Sequence, residues 1–165
     1  MEHQASGAEI SRAKRLHSIL LFDFIVVHVF VFVIALGMTK TSLIPLMCFP
    51  LISITLLTFV LFQAKKTAKD ASWFVRCHAM LAAKRARLFM TLFIVTGSFT
   101  AVMYFGGAQF GMSKITSMSL AFGLGQLPFM VALLALVVLE FDAEHQCKDG
   151  KIPKSAQSLS AKDVE

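Results

Sequence analysis

Residues 18–38 have the sequence SILLFDFIVVHVFVFVIALGM, which contains no Lys, Arg or Glu. A helix needs about 20 mainly apolar residues to cross the ~30 Å hydrocarbon core of a bilayer, and this stretch is long enough. The rest of the 165-residue chain has the same bias, with 56% hydrophobic and only 16% charged residues. A soluble domain carries about a quarter charged residues. The composition therefore predicts an integral membrane protein.

Three further apolar stretches reach a similar length, which gives predicted spans at about 18–38, 43–63, 88–106 and 116–139. Val, Ile and Phe are frequent in them, but a backbone in lipid must satisfy its own hydrogen bonds, so helix is favoured over strand. The first stretch is too long for the core of a cleaved signal peptide, and it contains Asp23 and His28. The predicted fold is an all-α membrane domain, 18–141, with four transmembrane helices arranged as two hairpins.

Lys and Arg are unevenly distributed among the polar segments. The tail 1–17 carries three, the connection 64–87 carries seven and the tail 142–165 carries four, whereas the two other connections carry only Lys40 and Lys114. The positive-inside rule then places both termini and the middle connection in the cytoplasm. The outer connections are compact and the chain has no Asn, hence no glycosylation sequon, which favours a bacterial inner membrane. The C-terminal tail is polar, contains Gly150 and Pro153, and is predicted to be flexible.

The middle connection has an apolar stripe at helical spacing, formed by Trp73, Phe74, Cys77, Met80 and Leu81. This pattern predicts an amphipathic cytoplasmic helix between spans two and three, and the alternative is a cytoplasmic extension of the third helix. No nucleic-acid-binding motif accompanies the net charge of +6, so the basic residues are assigned to anionic lipid headgroups. The predicted headgroup contacts are Lys65, Lys66, Lys69, Trp73, Arg76, Lys84, Arg85 and Arg87.

Polar residues near the centres of the spans are the candidates for an intramembrane site. Asp23 is the one acid well inside a predicted span, and His28 follows it by five residues. Five α-helical residues rotate by roughly 140°, so the two side chains are expected on different faces. They serve either a proton, ion or metal site, or structural hydrogen bonds, with Asp23 paired to a cation such as Arg85 or Arg87. The full candidate set is Asp23, His28, Ser53, Thr96, Ser98 and Gln126.

The fourth span carries two pairs of small residues at four-residue spacing, Ser119 with Gly123 and Ala121 with Gly125. Such spacing favours close helix packing. Pro128 follows, and because it lacks a backbone donor it is expected to kink the helix.

No cofactor or metal is assigned from the sequence. The pairs Cys77-His78 and His145-x-Cys147 lack the spacing of a zinc site, and only His28 lies deep in a span, whereas a bis-histidine haem needs two such residues. Walker, Gly-x-Ser-x-Gly and His-Glu-x-x-His motifs are absent from the sequence. An enzyme is therefore disfavoured.

Three functions are compatible with this pattern. The leading hypothesis is an accessory, assembly or scaffold subunit that binds other membrane proteins or itself. The second is a small transporter or channel that uses the intramembrane polar residues; it would need to be an oligomer, because four helices of ordinary polarity rarely enclose a pathway alone. The third is a membrane redox subunit that uses Asp23 or His28.

Overall fold

The computed structural model describes residues 5–38, 41–42, 44–70 and 72–157. Within these residues all regular structure is helical. The four long helices are α1, Gly7–Gly37; α2, Ile44–Thr67; α3, Trp73–Gly106; and α4, Lys114–Lys148. All four are long and apolar enough to cross a membrane, which confirms the predicted number of apolar helices. Their insertion, the two-hairpin arrangement and the orientation stay predictions, and Lys40 in the first outer turn lies outside the described residues.

Helix α1 begins about three turns ahead of the predicted span because a capping box starts it there. The side chain of Ser6 accepts a hydrogen bond from the backbone N–H of Glu9, and the Glu9 carboxylate accepts one from the Ser6 N–H. Each bond satisfies a donor that the first turn of a helix leaves open. In the same way, Ser113 caps α4 through the N–H of Thr116.

Two segments of these helices are wound as π-helix, Phe22–Val31 within α1 and Ala121–Gln126 within α4. A π-helix closes its hydrogen bonds between residues five apart, which widens the turn. The second segment lies directly ahead of Pro128. Pro128 has no backbone N–H to donate, and this missing hydrogen bond lies next to the wider turn. The missing bond disturbs the regular α-helix at this point.

The predicted amphipathic helix is not a separate element. Residues 73–87 are the first turns of α3, which continues without a break to Gly106, as the alternative interpretation proposed. The apolar stripe also faces inward rather than outward, since Phe74 and Cys77 are fully buried and Leu81 is nearly so. It packs against α1, α4 and the C-terminal segment through Ala13, Ala143, Cys147 and Ala156.

The C-terminal segment, predicted as a flexible tail from residue 142, contains two helical stretches within the described residues. Residues 142–148 continue α4, which ends in a turn where Gly150 adopts a φ of 69°, a conformation that favours glycine. The N–H of Lys151 bonds the carbonyl of Gln146 at 2.9 Å, which reverses the chain direction. Residues 154–157 then form a helical turn in which Ala156 is fully buried. Residues 158–165 lie outside the described part of the chain.

The chain divides into two compact units. One unit is Met1–Arg87 with Val137–Glu165, and its core includes Leu20, Phe24 and Leu57, which are fully buried.

The other unit is Leu88–Leu136. It is held together by contacts between Phe89, Phe93 and Phe129, and by a hydrogen bond of 3.2 Å from Thr100 Oγ1 to the carbonyl of Ala121. A Cβ on Gly125 would lie 2.2 Å from Thr100 Oγ1, so the glycine permits this close approach.

Candidate functional site

Buried ionisable side chains form two groups, both within the unit that contains α1 and α2. The Asp23 cluster consists of Asp23, His28 and Ser53. The histidine cluster consists of His17, His78, Arg85 and Glu140.

In the Asp23 cluster, the π-helical segment of α1 places an acid and a histidine side by side. His28 Nδ1 donates to the backbone carbonyl of Asp23 at 3.0 Å and lies 3.9 Å from Asp23 Oδ1. Ser53 Oγ on α2 donates to Asp23 Oδ2 at 3.1 Å. The prediction that Asp23 and His28 occupy different faces is wrong, because it assumed α-helical rotation, whereas the wider turn of this segment closes hydrogen bonds between residues five apart.

Asp23 and His28 are almost completely shielded, with exposed side-chain fractions of 1% each. Asp23 Oδ1 has no hydrogen-bond partner among the described residues. Buried polar oxygens are nearly always bonded, so this oxygen is an exception that calls for a further donor.

The remaining polar candidates belong to the unit Leu88–Leu136, and the hydrogen bonds described for them stay within this unit. Thr96 Oγ1 donates to the carbonyl of Leu92 at 2.7 Å, and Gln126 Nε2 donates to Thr100 Oγ1 at 3.4 Å. Ser98 is exposed. Of the six predicted residues, the structure therefore joins Asp23, His28 and Ser53.

Most of the predicted headgroup residues are accessible. Trp73 is 40% exposed, Arg76 is half-buried, and Lys65, Lys66, Lys69, Lys84 and Arg87 are exposed. Arg85 differs, because it is only 8% exposed and its Nη1 donates to Glu140 Oε2 at 2.7 Å. Its guanidinium pairs with Glu140 rather than with Asp23.

The histidine cluster draws on three helices. His17 lies on the buried stripe of α1, with Ala13 one turn before it and Leu20 one turn after it. His78 and Arg85 are seven residues apart on α3, which places them two turns apart on one face. Glu140 comes from α4, and the two histidines and Glu140 have no exposed surface.

Hydrogen bonds join these side chains into one line. His78 Nε2 donates to the backbone carbonyl of Lys151 at 3.1 Å, and His78 Nδ1 lies 3.0 Å from His17 Nε2. His17 Nδ1 contacts Glu140 Oε1, and Glu140 Oε2 accepts from Arg85. The chain reversal at Gly150 is what brings the Lys151 carbonyl to the end of this line.

A second carboxylate, Glu144, lies one turn after Glu140 at the edge of the cluster. It accepts a hydrogen bond of 3.1 Å from Ser18 Oγ, and the ammonium groups of Lys148 and Lys14 lie 3.5 Å and 3.9 Å from its Oε1. Breaking these partly exposed pairs costs far less free energy of unfolding than breaking the buried pair of Arg85 and Glu140.

Burial and the neighbouring His17 lower the pKa of His78 to about 4, although its bond to Lys151 and the charge of Glu140 oppose the shift. His78 is therefore neutral at neutral pH. Burial raises the pKa of the Cys147 thiol to about 11, so this cysteine is not a reactive thiolate.

No group of three or more His, Cys, Asp or Glu side chains within the described residues is arranged to hold a metal ion. Cys77, His78 and Cys147 are buried, whereas the His145 side chain is 76% exposed. The Cys147 thiol lies 3.8 Å from the carbonyl of Ile10.

His17 and Glu140 were not among the residues predicted from the sequence. His17 directly precedes the first predicted span and Glu140 directly follows the fourth, so both lie at the same predicted membrane edge as Arg85. An ionisable residue in the apolar stripe at the end of a span is the signal that would have identified them.

No protein-family model, curated protein or solved structure matches this chain.

Proposed function

We propose that this chain is an accessory or assembly subunit of the bacterial inner membrane that binds other membrane proteins, or itself, through its spanning helices. The supporting observation is the low burial of the spanning part of α3. Among residues 88–106, all of which the structure describes, Phe89 alone is buried. This segment therefore has most of its surface available to lipid or to helices of a partner.

Several residues on the exposed surface suit a helix partner better than lipid. Positions 97 and 123 are glycines around which a Cβ would meet no atom within 4 Å, and Ser98 and Ser119 are exposed. Small residues let two helices approach closely in a membrane. The pair Ser119 and Gly123 is thus open, whereas Gly125 is used within its own unit against Thr100.

Replacing Gly123 with leucine is expected to lower recovery of a co-purifying membrane protein, or of a self-associated form, by about tenfold or more, because each 1.4 kcal/mol of lost association is tenfold. A Cβ at position 123 meets no atom of the chain within 4 Å, so the variant is expected to fold. The measurement is mild-detergent purification of the tagged protein from its own membrane, with mass spectrometry and light scattering.

The matched control is Leu124→Phe, which adds bulk at a neighbouring position that is 62% exposed. It is expected to leave association unchanged. Recovery of the unsubstituted protein as a lone monomer, or equal effects of both variants, would contradict the proposal.

A small oligomeric transporter or channel is the second candidate, and the Asp23 cluster favours it. A buried carboxylate in a span with one unbonded oxygen is suited to take up a proton or a small cation. In this proposal Asp23 is the binding group and His28 and Ser53 orient it.

Asp23→Asn is expected to abolish proton flux into proteoliposomes, measured with a trapped pH-sensitive dye, because the amide cannot exchange a proton. Ser53→Ala is the control: it removes one hydrogen bond but keeps the carboxylate, so flux should fall by no more than about tenfold. Absence of flux with the unsubstituted protein, or full flux in Asp23→Asn, would reject transport of protons through Asp23.

A further inference from the structure

The hydrogen bonds of the histidine cluster determine how many protons it holds. At one end the Lys151 carbonyl can only accept, and at the other end the guanidinium of Arg85 can only donate. Three contacts lie between these ends: Lys151 with His78, His78 with His17, and His17 with Glu140. Each contact needs one proton between its two atoms.

Two neutral imidazoles supply two of these three protons. The third must be an additional proton, because Glu140 brings none as a carboxylate. If the proton resides on Glu140 instead, the count is the same. These tautomers follow from the partner groups. With the third proton every contact is a hydrogen bond; without it, two lone pairs face each other in a fully buried site, which is costly.

We propose that the histidine cluster is a proton-binding site that holds one proton beyond two neutral imidazoles and a carboxylate, and that this proton fastens the C-terminal segment, residues 151–157, to α3. The proposal does not depend on the function proposed above.

Loss of the proton breaks the hydrogen bond between His78 and the Lys151 carbonyl. The pair of Arg85 and Glu140 keeps a proton on His17 Nδ1, so His17 Nε2 becomes an acceptor. His78 then turns its single proton toward His17, and its Nε2 lone pair faces the Lys151 carbonyl. The bond that holds the C-terminal segment is therefore the one that opens.

The charges around the site come from each packed helix. Helix α1 contributes His17, α3 contributes His78 and Arg85, and α4 contributes Glu140, with Glu144 one turn further on. From the C-terminal segment a backbone carbonyl faces the site, and the Lys151 ammonium pairs with Asp149 instead. The buried residues of α2 are Phe49, Ser53, Leu57, Val60 and Ala64, none of which titrates in this range.

The first test needs no substitution in the cluster. The full-length chain is labelled with ¹⁵N-histidine in nanodiscs, and His3→Gln with His145→Gln simplify the spectrum. At pH 8, where an ordinary histidine is neutral, the cluster is expected to keep either one doubly protonated imidazole or a protonated Glu140 carboxyl group, the latter read from the carboxyl shift of ¹³C-glutamate incorporated in the same sample. Two neutral imidazoles and an ionised Glu140 at pH 7 would overturn the proposal.

The second test asks whether the proton controls the C-terminal segment. Cys77 is fully buried and packs in one cluster with Ala156 and Ile152, so it becomes accessible when residues 151–157 detach. The variant Cys48→Ala with Cys147→Ala leaves Cys77 as the single thiol. Its maleimide reaction rate is divided by the rate in the SDS-unfolded chain at the same pH, which removes the intrinsic pH dependence of thiols.

The relative rate is expected to rise about tenfold per pH unit once the site begins to lose its proton, because detachment is then coupled to the loss of a single proton. Helix content, measured by circular dichroism, is expected to stay constant over the same range. In the same background His78→Phe is expected to react faster and without this pH dependence. A relative rate that stays constant from pH 6 to 10 in the unsubstituted cluster would overturn the coupling.

Discussion

Replacing Glu140 with alanine is expected to lower the free energy of unfolding by about 3–5 kcal/mol, because it leaves a buried guanidinium without its partner. Arg85 is 8% exposed and its Nη1 donates to Glu140 at 2.7 Å, and the same carboxylate also bonds His17. A loss of this size is a large part of the stability of a small protein. The measurement is unfolding in mixed detergent micelles, followed by circular dichroism.

The matched control is Glu144→Ala, one helical turn further along α4. Glu144 has 12% of its side chain exposed and its lysine partners lie 3.5 Å and 3.9 Å away, so the expected loss is about 1 kcal/mol or less. The double variant Arg85→Leu with Glu140→Leu is expected to recover much of the stability, because it removes both buried charges together. Equal losses for Glu140→Ala and Glu144→Ala would show that Arg85 is not held by Glu140.

Acidification is expected to destabilise the protein by about 3 kcal/mol through His78 alone, since its pKa is lowered from 6.5 to about 4. Below pH 6.5 the unfolded chain binds a proton that folded His78 resists. The stabilisation is therefore complete above pH 6.5, declines by about 1.4 kcal/mol per pH unit below it, and is lost as the pH falls through about 4. Unfolding free energies measured from pH 7 to 4 test this sign and slope.

His78→Phe is expected to be less stable at pH 7, since it loses two hydrogen bonds, but its stability should decline less steeply toward pH 4. His145→Gln is the matched control, because the His145 side chain is 76% exposed and its removal should leave the curve unchanged. An identical acid slope in the unsubstituted protein and in His78→Phe would refute the assignment to His78.

Both predictions concern a cluster that the linear pattern of residues did not reveal. His17, Arg85 and Glu140 were each visible at the end of an apolar stretch, and all three were predicted on the same side of the membrane. The residue pattern does not give the register of α1, α3 and α4 against one another, and this register determines whether such residues come into contact. Arg85 was consequently assigned to lipid headgroups, although its guanidinium is buried.

The Asp23 cluster shows a different limit. Asp23, His28 and Ser53 were predicted as polar residues of the spans, and the structure brings them together. The rotation between Asp23 and His28 was wrong because π-helical winding has no simple signature in the residue types.

The number and apolar character of the long helices follow from the amino-acid sequence alone, because length and hydropathy decide whether a helix is suited to a bilayer. The starts of α1 and α4 are also set locally, because the caps Ser6 and Ser113 act within one turn, although the predicted spans did not include these caps. In contrast, the common burial of the ionisable side chains and the packing of residues 151–157 against α3 are visible only in the folded chain. These features depend on contacts between residues more than 60 positions apart, such as His17 with Glu140 and His78 with Lys151, and only the packing of the helices brings such residues together.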